Sequence, residues 1–349
     1  MKKELLMGTA LVSTLGAASV AEAVTATMSG NHKTGFEFES PTGGTDTNGQ
    51  RNDNNFTVSL SETTDGGMTI SSSFKLMDEN TKQDYDAGFT LAFTDGSKLD
   101  IFNAGNASGS HAISVPSSAG SEGIAQTSLN HASTDLDFMA TSSILGIEYH
   151  TAADFLADGL TMSFSTSTDS GAAAGATYRV DSHYALGATY VTDLGDSALT
   201  IGAGYSASEG SKTGDAVTSD DGGFHVGLSA VTGDLTVAVG FADGDVNGQG
   251  SYRSTDSLDG EVLNAGVKYV SGDLTFNVGI ASGEGKDNAA GSTGGSDDTI
   301  DTTSASVSYA VAAGVTAILG YSTTDATNDG SSTADNDGSA WYVGANMSF

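Results

Sequence analysis

The chain has 349 residues, no cysteine, 47 glycines against two prolines, and a formal charge of −32 at pH 7. Such acidity argues against a surface built for nucleic acid or bare anionic lipid, and the lack of cysteine excludes a fold stapled by disulfides. Charged residues make up 16% of the chain and fall between regular apolar alternations, so the acidity belongs to the connections of a folded protein and does not mark a disordered tail.

At the N-terminus Lys2 and Lys3 precede an apolar stretch from Leu5 to Val20, followed by Ala21, Glu22 and Ala23 in an A-x-A pattern. Residues 1–23 therefore read as a signal peptide and residues 24–349 as the mature chain. The apolar stretch is shorter than the ~20 residues a retained anchor needs. Beyond Val24 no apolar run approaches that length, so any membrane crossing must be spread over short alternating strands.

From Val24 onward the sequence alternates for roughly ten residues, breaks at clusters of Gly, Asp, Asn and Ser, and resumes, the pattern of successive hairpins. Short breaks fall near Asp65-Gly66-Gly67, Asp95-Gly96, Ala152 to Asp158, Asp193 to Asp196, Gly233, Gly272 and Ala312-Ala313. Long ones fall at 40–51, 77–82, 105–142, 168–174, 209–221, 244–259, 284–299 and 325–337. Their regular interleaving predicts an all-β fold, a 16-stranded antiparallel transmembrane β-barrel with short turns on the periplasmic side and long loops outside. Residues 173–192 would break that count if they were two strands. Ala174, Ala176, Tyr178, Val180, Tyr184, Leu186, Ala188 and Tyr190 share one parity, so they are read as one long strand.

Strand parity also separates the two faces. Phe56, Val58 and Leu60, then Met68, Ile70, Phe74 and Leu76, then Tyr85, Phe89, Leu91 and Phe93 would face lipid. The other parity would face water, and it holds Lys33, Arg51, Lys75, Lys82 and Lys98, together with Arg179 and Lys268. Of the twelve Lys and Arg, Lys2 and Lys3 belong to the leader, so the first five strands and their loop junctions hold half of the rest. Any barrel keeps charge off its lipid face, where it costs about 2–4 kcal/mol at the midplane, so parity alone points only weakly to a pore-lining role. The final strand places Trp341, Val343, Ala345, Met347 and Phe349 on one apolar face. Trp341, Met347 and Phe349 are the residues expected to close the barrel by seating this strand against Val24 to Glu39, since a closed sheet leaves no open edge.

The hairpin from Asn55 to Lys75, the segment Gly96 to Gly105 and the terminal Phe349 resemble those of Gram-negative general diffusion porins, most of all the alphaproteobacterial type. The resemblance is clear over residues 24–105 and weaker beyond. It implies a homotrimer set in outer-membrane lipid and lipopolysaccharide, a water-filled pore in each subunit for small hydrophilic solutes and ions, and a third loop folded inward. The matching loop is Ala107 to Thr141, where Glu122, Asp135 and Asp137 are the acids that would face Lys33, Arg51, Lys75, Lys82 and Lys98 across a constriction. Arg179 would join the pore-lining cations. The acidic outer loops, set against Lys212, Arg253 and Lys286, predict a weak cation preference at low salt.

Other motifs count for less. Asp243 to Gly248 matches the first half of a calcium loop, but the twelfth position is Ser254 instead of Glu. The six histidines show no metal-ligand spacing. No cofactor is therefore expected, beyond calcium held loosely by outer-loop aspartates. Two other classes stay open: a barrel lipase, which needs an outward Ser beside an outward His such as His32, and a secreted acidic calcium-binding surface protein, whose tandem Gly-Gly-x-Gly-x-Asp repeats the chain lacks.

Overall fold

The computed structural model describes residues 24–42, 44–78, 81–82, 88–102, 106–117, 146–168, 178–212, 218–245, 259–286, 297–327 and 338–349. The expected signal peptide and the acids Glu122, Asp135 and Asp137 lie outside the described residues.

Alternation becomes strand after strand, every one antiparallel to its neighbours. We number them β1 (Thr25–Pro41), β2 (Thr47–Thr63), β3 (Thr69–Asp78), β4 (Thr81–Lys82 and Phe89–Ala92), β5 (Lys98–Ile101), β6 (Gly146–His150), β7 (Leu160–Thr168) and β8 (Tyr178–Leu194). The second half comprises β9 (Ser197–Lys212), β10 (Thr218–Thr232), β11 (Leu235–Asp245), β12 (Asp259–Ser271), β13 (Leu274–Lys286), β14 (Asp297–Ala312), β15 (Val315–Thr327) and β16 (Gly338–Ser348). Both pieces of β4 pair with β3 and are two parts of one strand, which makes a closed barrel of 16. Tyr178–Leu194 is one strand, as expected, with a register shift between Val180 and Ser182 that interrupts its alternation; residues 173–177 lie outside the described ones.

The short connections fall where Gly and Asp predicted them. Gly233 and Gly272, at φ 57° and 62°, supply the left-handed backbone that two-residue hairpins require. The long connections are shorter at their bases than the sequence suggested. Thr47 to Arg51 belongs to β2, and β9 and β10 run on to pair Glu209 with Asp220.

Closure is made by β1 against β16. Phe38 stands opposite Trp341, Phe36 opposite Val343 and His32 opposite Met347. The backbones of Gly30 and Phe349 exchange hydrogen bonds of 3.1 and 3.2 Å, and the Phe349 ring packs 6.0 Å from that of Phe56. Below Gly30, Thr25 to Ser29 pair with β2 alone among the described strands, so the seal covers Asn31 to Pro41 and not the whole of β1.

Large apolar side chains such as Phe164, Leu186, Ile201, Val239, Val278, Leu319 and Val343 are exposed on the outer parity. No described helix is long and apolar enough to cross a membrane; the crossing elements are the strands. Ser163, Ser165, Asn277, Ser304, Ser306, Ser308, Ser322 and Thr324 occupy the opposite parity and are buried on the inner side. The buried apolar cluster there is small: Ile318 and Tyr342, the Tyr342 ring lying where Gly320 leaves room for it.

Candidate functional site: the barrel lumen

Beyond β5 the chain turns inward and runs across the inner wall as residues 106–117, with one 3-10 turn at Gly109–His111. Its anchors are polar and specific. The Ala107 amide donates to Ser165 Oγ at 3.0 Å, and Ser110 Oγ donates to Glu148 Oε1 at 2.7 Å. His111 is held at both ring nitrogens, by Thr189 Oγ1 and Ser163 Oγ, each at 2.7 Å. From β10, His225 Nε2 donates to the Ser108 carbonyl at 2.7 Å.

The wall beneath this segment lacks side chains where the segment touches it. A Cβ on Gly187 of β8 would lie 2.2 Å from the Ala107 carbonyl oxygen, and one on Gly202 of β9 would lie 2.2 Å from that of His111. A Cβ on Gly227 of β10 would meet Ile113, and one on Gly266 of β12 or Gly279 of β13 would lie 1.9 or 2.7 Å from the Pro116 carbonyl oxygen. Real Cβ atoms do not approach that closely, so glycine is required for backbone to lie on backbone. The inward course expected of the third loop is thus seen for residues 106–117.

Each expected cation has a distinct fate. Lys33 pairs with Asp53 at 3.3 Å, its direct cross-strand partner. Arg51 bonds Glu37 through Nε and reaches Glu39 at 3.4 Å. Both therefore pair with acids of their own wall. Lys75 lies on β3 opposite Thr57, half-buried and with polar contacts of its own. Lys98 stands at the short-turn end opposite His150, and Lys268 is exposed on β12.

For two others strict alternation breaks down. Leu76 and Met77 are both exposed at a bulge facing Phe56 and Thr57, and Lys82 pairs with Met77 beyond it. A register shift at Glu209/Gly210 pairs Arg179 with Ser211. A bulge inserts one residue and reverses the phase beyond it.

About a quarter of the way round the barrel from the ion-paired wall is a cluster that spacing along the sequence could not reveal. Pairing of β5 with β6 sets Asp100 against Glu148 and Lys98 against His150. His150 Nε2 lies 3.0 Å from Asp100 Oδ2 and 3.6 Å from Glu148 Oε1, while its Nδ1 meets Ser163 Oγ at 2.8 Å. The Asp100, His150 and Ser163 order matches that of a hydrolase triad. However, Ser163 is only 4% exposed and its oxygen is shared with His111, leaving no approach for a substrate. On the outer face His32 bonds Asn54, and Thr34 bonds Asn52 at 2.6 Å, a polar patch level with Met347 and Ala345. Asp243 and Asp245 lie in β11, paired with Glu261 and Asp259, so the first three residues of the partial calcium motif are strand.

A lumen of this kind can pass water and small polar solutes along a hydroxyl-lined wall and narrow them with a bound segment. Comparison with known proteins agrees. The family model for the Gram-negative porin matches residues 8–329, while no curated protein sequence matches. Among solved structures, OmpF of Salmonella typhi in complex with daunomycin is similar at 14% identity and TM-score 0.65, covering 93% of this chain and 98% of that one. An anion-selective porin from Comamonas acidovorans is similar at 12% and 0.64, covering 93% and 100%. The trimer form of OmpT from Vibrio cholerae is similar at 14% and 0.61, covering 94% and 100%.

Proposed function

The chain belongs to the Gram-negative porin family, an outer-membrane channel, and on that premise we propose that it passes small hydrophilic solutes and ions by passive, non-enzymatic diffusion without a cofactor. The observation that carries this reading is the inward segment 106–117 lying across a closed, polar-lined barrel. Backbone laid on the inner wall takes up lumen space and so narrows the path.

Homotrimeric assembly within outer-membrane lipid and lipopolysaccharide belongs to the same reading. The outward His32, Thr34, Asn52 and Asn54 patch supports it, because polar groups at lipid depth are better covered by protein than by hydrocarbon. Similar barrels include both a trimer and an anion-selective pore, so the fold leaves ion preference to each chain's own charges. Here the acidic balance supports a weak cation preference, strongest at low salt, where the Debye length is about 30 Å at 0.01 M against about 10 Å at 0.1 M.

Planar bilayers test all three points. Purified protein should insert in conductance steps that come in threes, with a reversal potential favouring cations at low salt. Absence of channels would overturn the diffusion reading, single steps the trimer, and anion preference the electrostatic part.

A further inference from the structure

Two carboxylates directly opposite each other on neighbouring strands repel, and Asp100 and Glu148 are such a pair, with Glu148 only 2% exposed. Both converge on one atom, His150 Nε2, at 3.0 and 3.6 Å. Ligands held about 2.1 Å from a metal stand about 3.0 Å apart across an octahedral edge and about 3.4 Å apart across a tetrahedral one. The two nitrogen-to-oxygen separations are close to these values, and all three donor atoms lie within 4.8 Å of one another. All three side chains are on one wall, set by strand pairing and, for Glu148, by the hydroxyl of Ser110.

The partners of His150 suit the role. Metal-bound imidazole donates its other N–H to a neighbour, and Nδ1 faces Ser163 Oγ at 2.8 Å. That oxygen can pass its proton's bond on to His111 Nε2, and His111 Nδ1 can donate to Thr189. The same chain reads equally well in reverse, with Thr189 donating first and Nε2–H of His150 donating to Asp100. The network thus tolerates Nε2 with or without a proton. In the reading that leaves Nε2 unprotonated, its lone pair faces two anionic oxygens, an arrangement that calls for a cation between them.

We propose that Asp100, Glu148 and His150 bind one borderline divalent cation, of the Zn²⁺ class, in the lumen at the short-turn end of the barrel. One imidazole nitrogen with two carboxylate oxygens favours Zn²⁺, Co²⁺ or Ni²⁺ over Ca²⁺ and Mg²⁺, which prefer all-oxygen sites. Three protein ligands leave positions for water. Lys98, next to the cluster, opposes binding by its charge and limits the site to a single ion. The site is independent of the outer-loop aspartates, which offer oxygen alone.

The test is titration of the folded, metal-free full-length protein in detergent with ZnCl₂ by calorimetry, alongside His150→Gln, Asp100→Asn and His32→Gln. The expected result is one saturable Zn²⁺ site per chain, weakened about tenfold or more in the first two variants, unchanged in His32→Gln and not displaced by a tenfold excess of Ca²⁺. CoCl₂ added to the unmutated protein should give the visible bands of a nitrogen- and oxygen-ligated ion, a readout that needs no variant to fold. No saturable Zn²⁺ or Co²⁺ binding to the unmutated protein would overturn the proposal, as would equal affinity in His150→Gln or full displacement by Ca²⁺.

Discussion

The two sides of the barrel are built on opposite plans. On β1 and β2 the inner face is crowded with charge, and Lys33 and Arg51 pair with the three carboxylates Asp53, Glu37 and Glu39 within the wall. Across β8 to β13 the inner face carries a row of glycines, and residues 106–117 lie upon it. The pore is narrowed on the side where side chains are missing, by backbone. On the charged side Arg51 and Lys33 are occupied in holding their own acids, so the field there is that of ion pairs and not of free cations. This differs from a basic wall facing an acidic loop.

Substitutions on the glycine side should have the largest effects. Gly266→Val would drive a Cβ into the Pro116 carbonyl, 1.9 Å away, and overpacking of that kind costs about 1–3 kcal/mol. The segment should lift, seen as a changed single-channel conductance and a lower temperature for the heat-induced shift on gels. Unchanged values would mean that the wall does not carry the segment. Removing the anchors by Ser110→Ala with His111→Ala should loosen it less, each lost hydrogen bond being worth about 1 kcal/mol, with added open-channel noise as the measurement.

On the charged side, Arg51→Ala leaves Glu37 buried at 1% exposure without its guanidinium, at a cost of about 1–3 kcal/mol. Thermal unfolding should fall while conductance barely moves, reversing the balance seen for Gly266→Val. Lys75→Ala should have the smallest effect on stability yet shift reversal potential toward cations. No shift would remove Lys75 from the conducting path.

Much of the barrel was legible because period-two alternation and Gly/Asp turns are local signals. Trp341 to Phe349 already had the pattern of a closing strand. The contrast between the walls was not legible in that way. Gly187, Gly202, Gly227 and Gly266 look like turn composition until register sets them side by side. Asp100, Glu148 and His150 went unremarked in the sequence, because only β5–β6 pairing joins residues 100 and 150. Register shifts at Leu76 and near Val180 interrupt the strict alternation on which a parity reading relies, and no local signal in the sequence marks them. Mid-strand glycines of inward parity on successive strands were the available clue to the track.

The central claim is that the segment on the glycine wall sets the width of the pore. Replacing residues 107–141 with a short Gly/Ser linker and recording single-channel conductance in planar bilayers tests it most directly. The account predicts a clear rise in conductance with the barrel still folded; a folded barrel with unchanged conductance would contradict it.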